Sequence, residues 1–226
     1  MKKTLLLIAT ALVCVSCFDE LEFGADWKPE DKTEPVPEPE QQFKVNSFPD
    51  DGKVVKSTVF EAGTDNHIYY RIPAMVEAKD GSILAFCEAR NTKADFYEGN
   101  ESKFEGIPVF QQGSSKDSGN IDVVLKISSD GGATWGPMTT LFDDGNNTCG
   151  NPCPVLDHFT GRIWLFWCWQ KNGSQESTYF PSILDGHTRR VLYTWSDDNG
   201  KTWAPHVDAT ASLKERDWTW YATGPC

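Results

Sequence analysis

Ser128-Ser-Asp-Gly-Gly-Ala-Thr-Trp135 and Ser196-Asp-Asp-Asn-Gly-Lys-Thr-Trp203 are two copies of one pattern, Ser-x-Asp-x-Gly-x-Thr-Trp. Each copy follows a short apolar run, Ile121 to Ile127 in one case and Arg190 to Trp195 in the other. The Asp can accept turn N–H groups, and the Gly permits a left-handed backbone residue. The Trp is then free to pack beneath the turn. The pattern is therefore a hairpin clip with a structural role, and its recurrence points to a propeller or solenoid.

Outward from the clips, the texture from about Lys53 onward is the same. Strand-length runs such as Ser82 to Cys87 and Arg162 to Cys168 alternate with Gly-rich turns. Asp80-Gly81 lies between two apolar segments and predicts a tight hairpin. No window of a dozen residues sustains a 3.6-residue period, so the domain reads as all-β.

The chain has 226 residues and a formal net charge of −12. That balance argues against nucleic acid or an anionic membrane surface as the main partner. It does not oppose a small anion held by a few local arginines. Residues 1–17 read as an export signal: Met-Lys-Lys, an apolar run from Leu5 to Val15, then Ser16-Cys17. The small residue before Cys17 resembles a bacterial lipoprotein signal, in which Cys17 becomes the lipidated first residue. Cys14 is the rival, but it follows the bulkier Val13. Residues 18–45 are rich in Pro and acids and read as an extended tether. That leaves about 180 residues, 46–226, for one folded domain. The five remaining cysteines do not form an evident disulfide framework. They read mainly as buried small hydrophobes, and no four-ligand metal set is evident.

The two clips are Asp-boxes, and residues 64–226 resemble the bacterial exo-sialidases. Further motifs carry the resemblance: Tyr70-Arg71-Ile72-Pro73, Glu88-Ala-Arg90, Asp117-Ser-Gly-Asn-Ile-Asp122 and Asn151-Pro-Cys-Pro-Val155. The resemblance implies a six-bladed β-propeller with its site at one end of the central axis. About three blades fit the length available, at roughly 40–60 residues per blade. It also implies a retaining hydrolase for terminal sialic acids that needs no metal or cofactor. Its partners would be sialylated glycans, glycoproteins or glycolipids. A lipid anchor would tether it to the bacterial cell envelope, at the outer membrane.

Sialic acid carries a carboxylate on its anomeric carbon, and a guanidinium grips such a group with two parallel hydrogen bonds. By match to the motifs, Arg71 is the first carboxylate-binding arginine, and Arg90 and Asn151 contact the sugar. Glu88 is either an orienting partner for an arginine or a solvated strand-end carboxylate. Leaving-group departure needs an acid. Asp117, within its Asp-Ser-Gly-Asn-Ile-Asp setting, is the preferred acid/base, and Asp95, five residues after Arg90, is the competitor. The segment from Phe96 to Lys116 reads as an insertion, either a lid or a plain surface loop. Asp122 reads as a strand residue.

The family's tyrosine nucleophile, its glutamate partner and two further arginines have no motif match in these residues. The chain alone is therefore expected to be inactive or unstable, as the N-terminal part of a longer enzyme. The alternatives are a non-catalytic sialoglycan-binding propeller and a purely structural Asp-box propeller. The ordered arginine and Asn-Pro-Cys-Pro segments argue against the last.

Overall fold

A computed structural model describes residues 56–91, 105–107, 117–174 and 188–224. All of them lie in the compact unit 55–226. The signal segment, Cys14, Cys17, the tether and Asp95 lie outside the described residues.

The strands are β1 (Tyr69–Glu77), β2 (Ile83–Arg90), β3 (Ile121–Ser128) and β4 (Thr139–Phe142), followed by β5 (Thr148–Leu156), β6 (Ile163–Gln170), β7 (Arg190–Ser196) and β8 (Val207–Asp208). A single-turn helix, α1 (Thr210–Leu213), follows. β1 to β4 pair antiparallel in sequence order, and β5 to β8 do the same. The two meanders meet at one parallel bridge, Ile121 to Thr148. This is the blade architecture that the repeat implies. Two four-stranded blades are complete among the described residues. Dividing length by blade size gives about three; the long segments between β2 and β3, and between β6 and β7, add residues without adding a described strand.

The hairpin at Asp80-Gly81 forms as its sequence predicts. Asp80 Oδ1 accepts the Ser82 N–H at 3.0 Å, and Gly81 takes φ 84°. The clips join β3 to β4 and β7 to β8, the same place in each blade. In the first, Ser128 Oγ accepts from Gly132 N at 2.9 Å and Asp130 Oδ1 accepts from Thr134 N at 2.9 Å. The second repeats both bonds at 2.8 Å, from Gly200 to Ser196 and from Thr202 to Asp198. Trp203 packs edge-on against Phe86 of the neighbouring blade, with ring centroids 5.9 Å apart.

The core lies between the two sheets. Leu84, Phe86, Val123 and Leu125 from the first meet Ile163, Leu165, Trp167 and Leu192 from the second. Each such side chain contributes about 1.5–3 kcal/mol by leaving water. Strand alternation divides the aromatic run of β6. Trp167 faces this core, with Trp169 packed against it, whereas Trp164 and Phe166 stand on the other face beside Tyr193.

One cysteine departs from the sequence reading. Cys87, Cys149 and Cys168 are free and buried, but Cys153 is disulfide-bonded. Pairing depends on where Cβ atoms meet in space, which spacing along a chain does not reveal.

Candidate active site

The innermost strands of both blades carry the same irregularity. β1 loses register between Arg71 and Ala74, and β5 between Gly150 and Cys153. A positive-φ residue followed by proline occupies each bulge: Ile72 at 55° before Pro73, and Asn151 at 56° before Pro152. A residue before proline ordinarily stays extended, and a β-branched residue at positive φ is a genuine outlier. Strain of this kind, about 1–3 kcal/mol per residue, persists where the surroundings enforce it. Here the buried Cys87 thiol donates to the Arg71 carbonyl at 2.9 Å. Burial, above all, pushes that thiol up to about 12, so it remains a protonated donor. The bulges re-aim side chains at one end of the sheets, as bulges beside functional sites do.

Arg71, Glu88 and Arg90 come from paired positions on β1 and β2: Arg71 stands opposite Glu88, and Arg90 lies two residues on. Arg90 is buried and donates from Nε to Glu88 Oε2 at 2.9 Å, with Nη2 reaching the same oxygen. Its Nη1 donates to Asp117 Oδ1 at 3.1 Å. Arg71 Nη1 approaches that same Asp117 oxygen at 3.5 Å. The Asp117 side chain is 65% exposed and that of Arg71 40%, so both are open to a ligand. Glu88 therefore orients an arginine rather than standing in solvent.

The second blade completes the arrangement. Glu88 Oε1 accepts the Asn151 N–H at 2.8 Å. It sits where a side chain on Gly150 would stand, since a Cβ there would meet Oε1 at 2.4 Å. Asn151 Oδ1 accepts from Arg189 Nη2 at 2.7 Å, and the Asn151 carbonyl accepts from Thr223 Oγ1 at 2.6 Å. Gln170 Nε2 donates to the Asp117 carbonyl at 2.8 Å. Two guanidinium groups, Arg71 and Arg90, thus meet the carboxylates of Glu88 and Asp117, and a third, Arg189, joins the network through the amides of Gln170 and Asn151. A local positive excess in an acidic chain suits an anionic ligand.

The four residues singled out from the sequence are brought into this one network. Arg189 and Gln170 were not legible as site residues, nor was the stretch Trp218-Thr-Trp-Tyr-Ala-Thr-Gly224, which contacts Arg189 and Asn151. The only hint was an arginine pair, Arg189-Arg190, opening an apolar strand. Asp122 is a buried strand residue, as expected, and faces His67 at 3.4 Å. Burial, above all, raises its pKa.

Comparison with known proteins agrees with this geometry. A family model described as a BNR repeat-like domain matches residues 106–226. A sialidase of Bacteroides fragilis is 27% identical over 179 residues, covering 74% of this chain and 29% of that protein. An exo-alpha-sialidase of Aspergillus fumigatus is 33% identical over 175 residues, covering 69% of this chain and 37% of that protein. The chain thus spans about a third of the length of these curated relatives. Among solved structures, the Hadza microbial sialidase Hz136 has a TM-score of 0.56 at 25% identity, covering 70% of this chain and 29% of that one. A leech intramolecular trans-sialidase has a TM-score of 0.59 at 14% identity, covering 77% and 40%, and supports the fold alone. With the paired Asp-boxes, the bulged inner strands and the clustered arginines in hand, these matches establish that the chain belongs to the BNR-repeat sialidase family.

Proposed function

We propose that the protein acts as a retaining exo-α-sialidase that removes terminal sialic acid from glycoconjugates. The observation that carries this reading is the convergence of Arg71 and Arg90 on Asp117 at the bulged end of the sheets. Arg71 is half-exposed and its contact with Asp117 is long, so its fork remains open to a ligand carboxylate at the shorter distances such pairs adopt. In this reading Asp117, held by Arg90 and by Gln170 at its main chain, gives a proton to the departing oxygen and later takes one from water. Asn151 uses Oδ1, N and O within the protein. Its Nδ2 has no hydrogen-bond partner among the described residues, which leaves it for the sugar.

The tyrosyl nucleophile of this mechanism has no motif match among these residues. Of the four described tyrosines, Tyr70 and Tyr221 have hydroxyls committed to the carbonyls of Thr64 and Arg189. The site is read as working without metal or cofactor. Export with a lipid on Cys17 places the enzyme at the bacterial envelope. A disulfide at Cys153 suits such an oxidising compartment.

Calorimetric titration of the purified chain with N-acetylneuraminic acid, and separately with galactose, tests the reading. The acid sugar is expected to bind and galactose not, with Arg71→Ala weakening the acid sugar at least tenfold. Equal affinity for both sugars, or no binding of the acid, contradicts it. A fluorogenic sialoside is expected to remain intact with this chain alone. Hydrolysis would show that a nucleophile lies within it.

A further inference from the structure

Arg189 is buried, 4% exposed, yet forms no ion pair with a carboxylate among the described residues. Its Nε lies inside without a hydrogen-bond partner. Its other contacts are two amide oxygens, Gln170 Oε1 and Asn151 Oδ1, and the face of Trp220, whose centroid lies 4.2 Å from the guanidinium carbon. A desolvated cation without a counter-charge is costly. Nothing in strand pairing requires it: Arg189 precedes β7, and the first ladder partner on that strand is Arg190.

We propose that Arg189 is a positioning residue that sets the orientation of two amide side chains and, through them, of Asp117 and Arg90. A guanidinium only donates, so it turns an oxygen of each amide towards itself. With Oε1 of Gln170 held, Nε2 is directed to the Asp117 carbonyl at 2.8 Å. With Oδ1 of Asn151 held, Nδ2 is the group left for a ligand, and that ligand atom must be an acceptor. The Asn151 backbone N–H then meets Glu88 Oε1, and Glu88 Oε2 holds Arg90. One residue of the second blade thereby fixes the acid and the arginine contributed by the first. The aromatic segment after α1 keeps it there: Trp220 covers its face, and the Tyr221 hydroxyl donates to its carbonyl.

The effect on ligand rests on the sialidase reading above; the effect on order does not. The test compares Arg189→Lys, which keeps charge but not the fork, Arg189→Gln, and Gln170→Glu. The last keeps a partner for Arg189 and removes the donor to Asp117. Amide hydrogen exchange is followed in residues 117–120, at Asn151 and along β6. Affinity for N-acetylneuraminic acid is measured alongside.

Both Arg189 variants are expected to speed exchange about tenfold at 117–120 and at Asn151, with β6 unchanged, the size expected for one lost hydrogen bond. Gln170→Glu is expected to do so at 117–120 only. Affinity for the acid sugar falls about tenfold in both Arg189 variants, because neither a single ammonium nor an amide presents the two spaced donors of the guanidinium fork. Wild-type exchange and affinity in Arg189→Lys overturn the proposal, since charge alone would then suffice. Exchange rising equally along β6 also overturns it, since the residue would then merely support the fold. If the wild-type chain does not bind the acid sugar, the sialidase reading fails, and the exchange pattern alone still decides the role of Arg189.

Discussion

The Asn151 N–H donates to Glu88 Oε1 at 2.8 Å, and the same carboxylate holds the Arg90 side chain through its other oxygen. One buried carboxylate therefore joins the bulge of the second blade to the arginine of the first.

Replacing Glu88 by Ala leaves the buried Arg90 without its principal counter-charge and Asn151 without its acceptor. Loss of one partner of a buried pair costs about 3–5 kcal/mol. Urea denaturation of Glu88→Ala should show a midpoint lowered accordingly with an unchanged slope. A loss below 1 kcal/mol would mean that Arg90 finds Asp117 a sufficient partner.

Gly200 and Gly81 share φ 84° but differ in surroundings. A Cβ on Gly200 would meet Leu84 Cδ2 at 2.4 Å, whereas one on Gly81 meets nothing within 4 Å. Gly81→Ala should cost about 1 kcal/mol, from backbone strain alone. Gly200→Ala should cost about 1–3 kcal/mol beyond that, because Leu84 belongs to the packed core. Equal costs in thermal or chemical unfolding would contradict the packing of the second clip against the first blade.

The clip carboxylates make acid the condition that loosens the turns. Thr134 and Thr202, through their hydroxyls first and their amides next, hold Asp130 and Asp198 down at about 2 from an ordinary value of 3.8. Depressed folded values mean that the ionised clips stabilise the fold above about pH 4, and that this contribution is lost as pH falls towards 2. The thermal midpoint of an Asp130→Ala, Asp198→Ala double variant should lie below wild type at pH 6, and the gap should close by pH 2. A gap independent of pH would show that the clips act without their charge.

The architecture was open to reading because the clip pattern is local: Ser, Asp, Gly, Thr and Trp satisfy one another within eight residues. Arg71, Arg90, Asp117 and Asn151 could be singled out because each stands in a short ordered motif. Arg189 and Gln170 could not, because their meaning arises only when the end of β6 and the residue before β7 reach across to Asp117 and Asn151. The bulges were hidden for a different reason. A residue before proline is expected to be extended, and Ile72 and Asn151 break that rule where backbone strain is coupled to the site. Cys153 shows the same dependence on spatial pairing.

The central claim is that Arg71 receives the carboxylate of an acid sugar at a site organised around Arg90 and Asp117. The most direct measurement follows the guanidinium resonances of the arginine-labelled chain while N-acetylneuraminic acid, and then its methyl ester, is added. The acid should shift the Arg71 signals saturably, the ester should not, and Asp117→Asn should preserve the response to the acid. Identical responses to acid and ester, or an unmoved Arg71, would contradict the account.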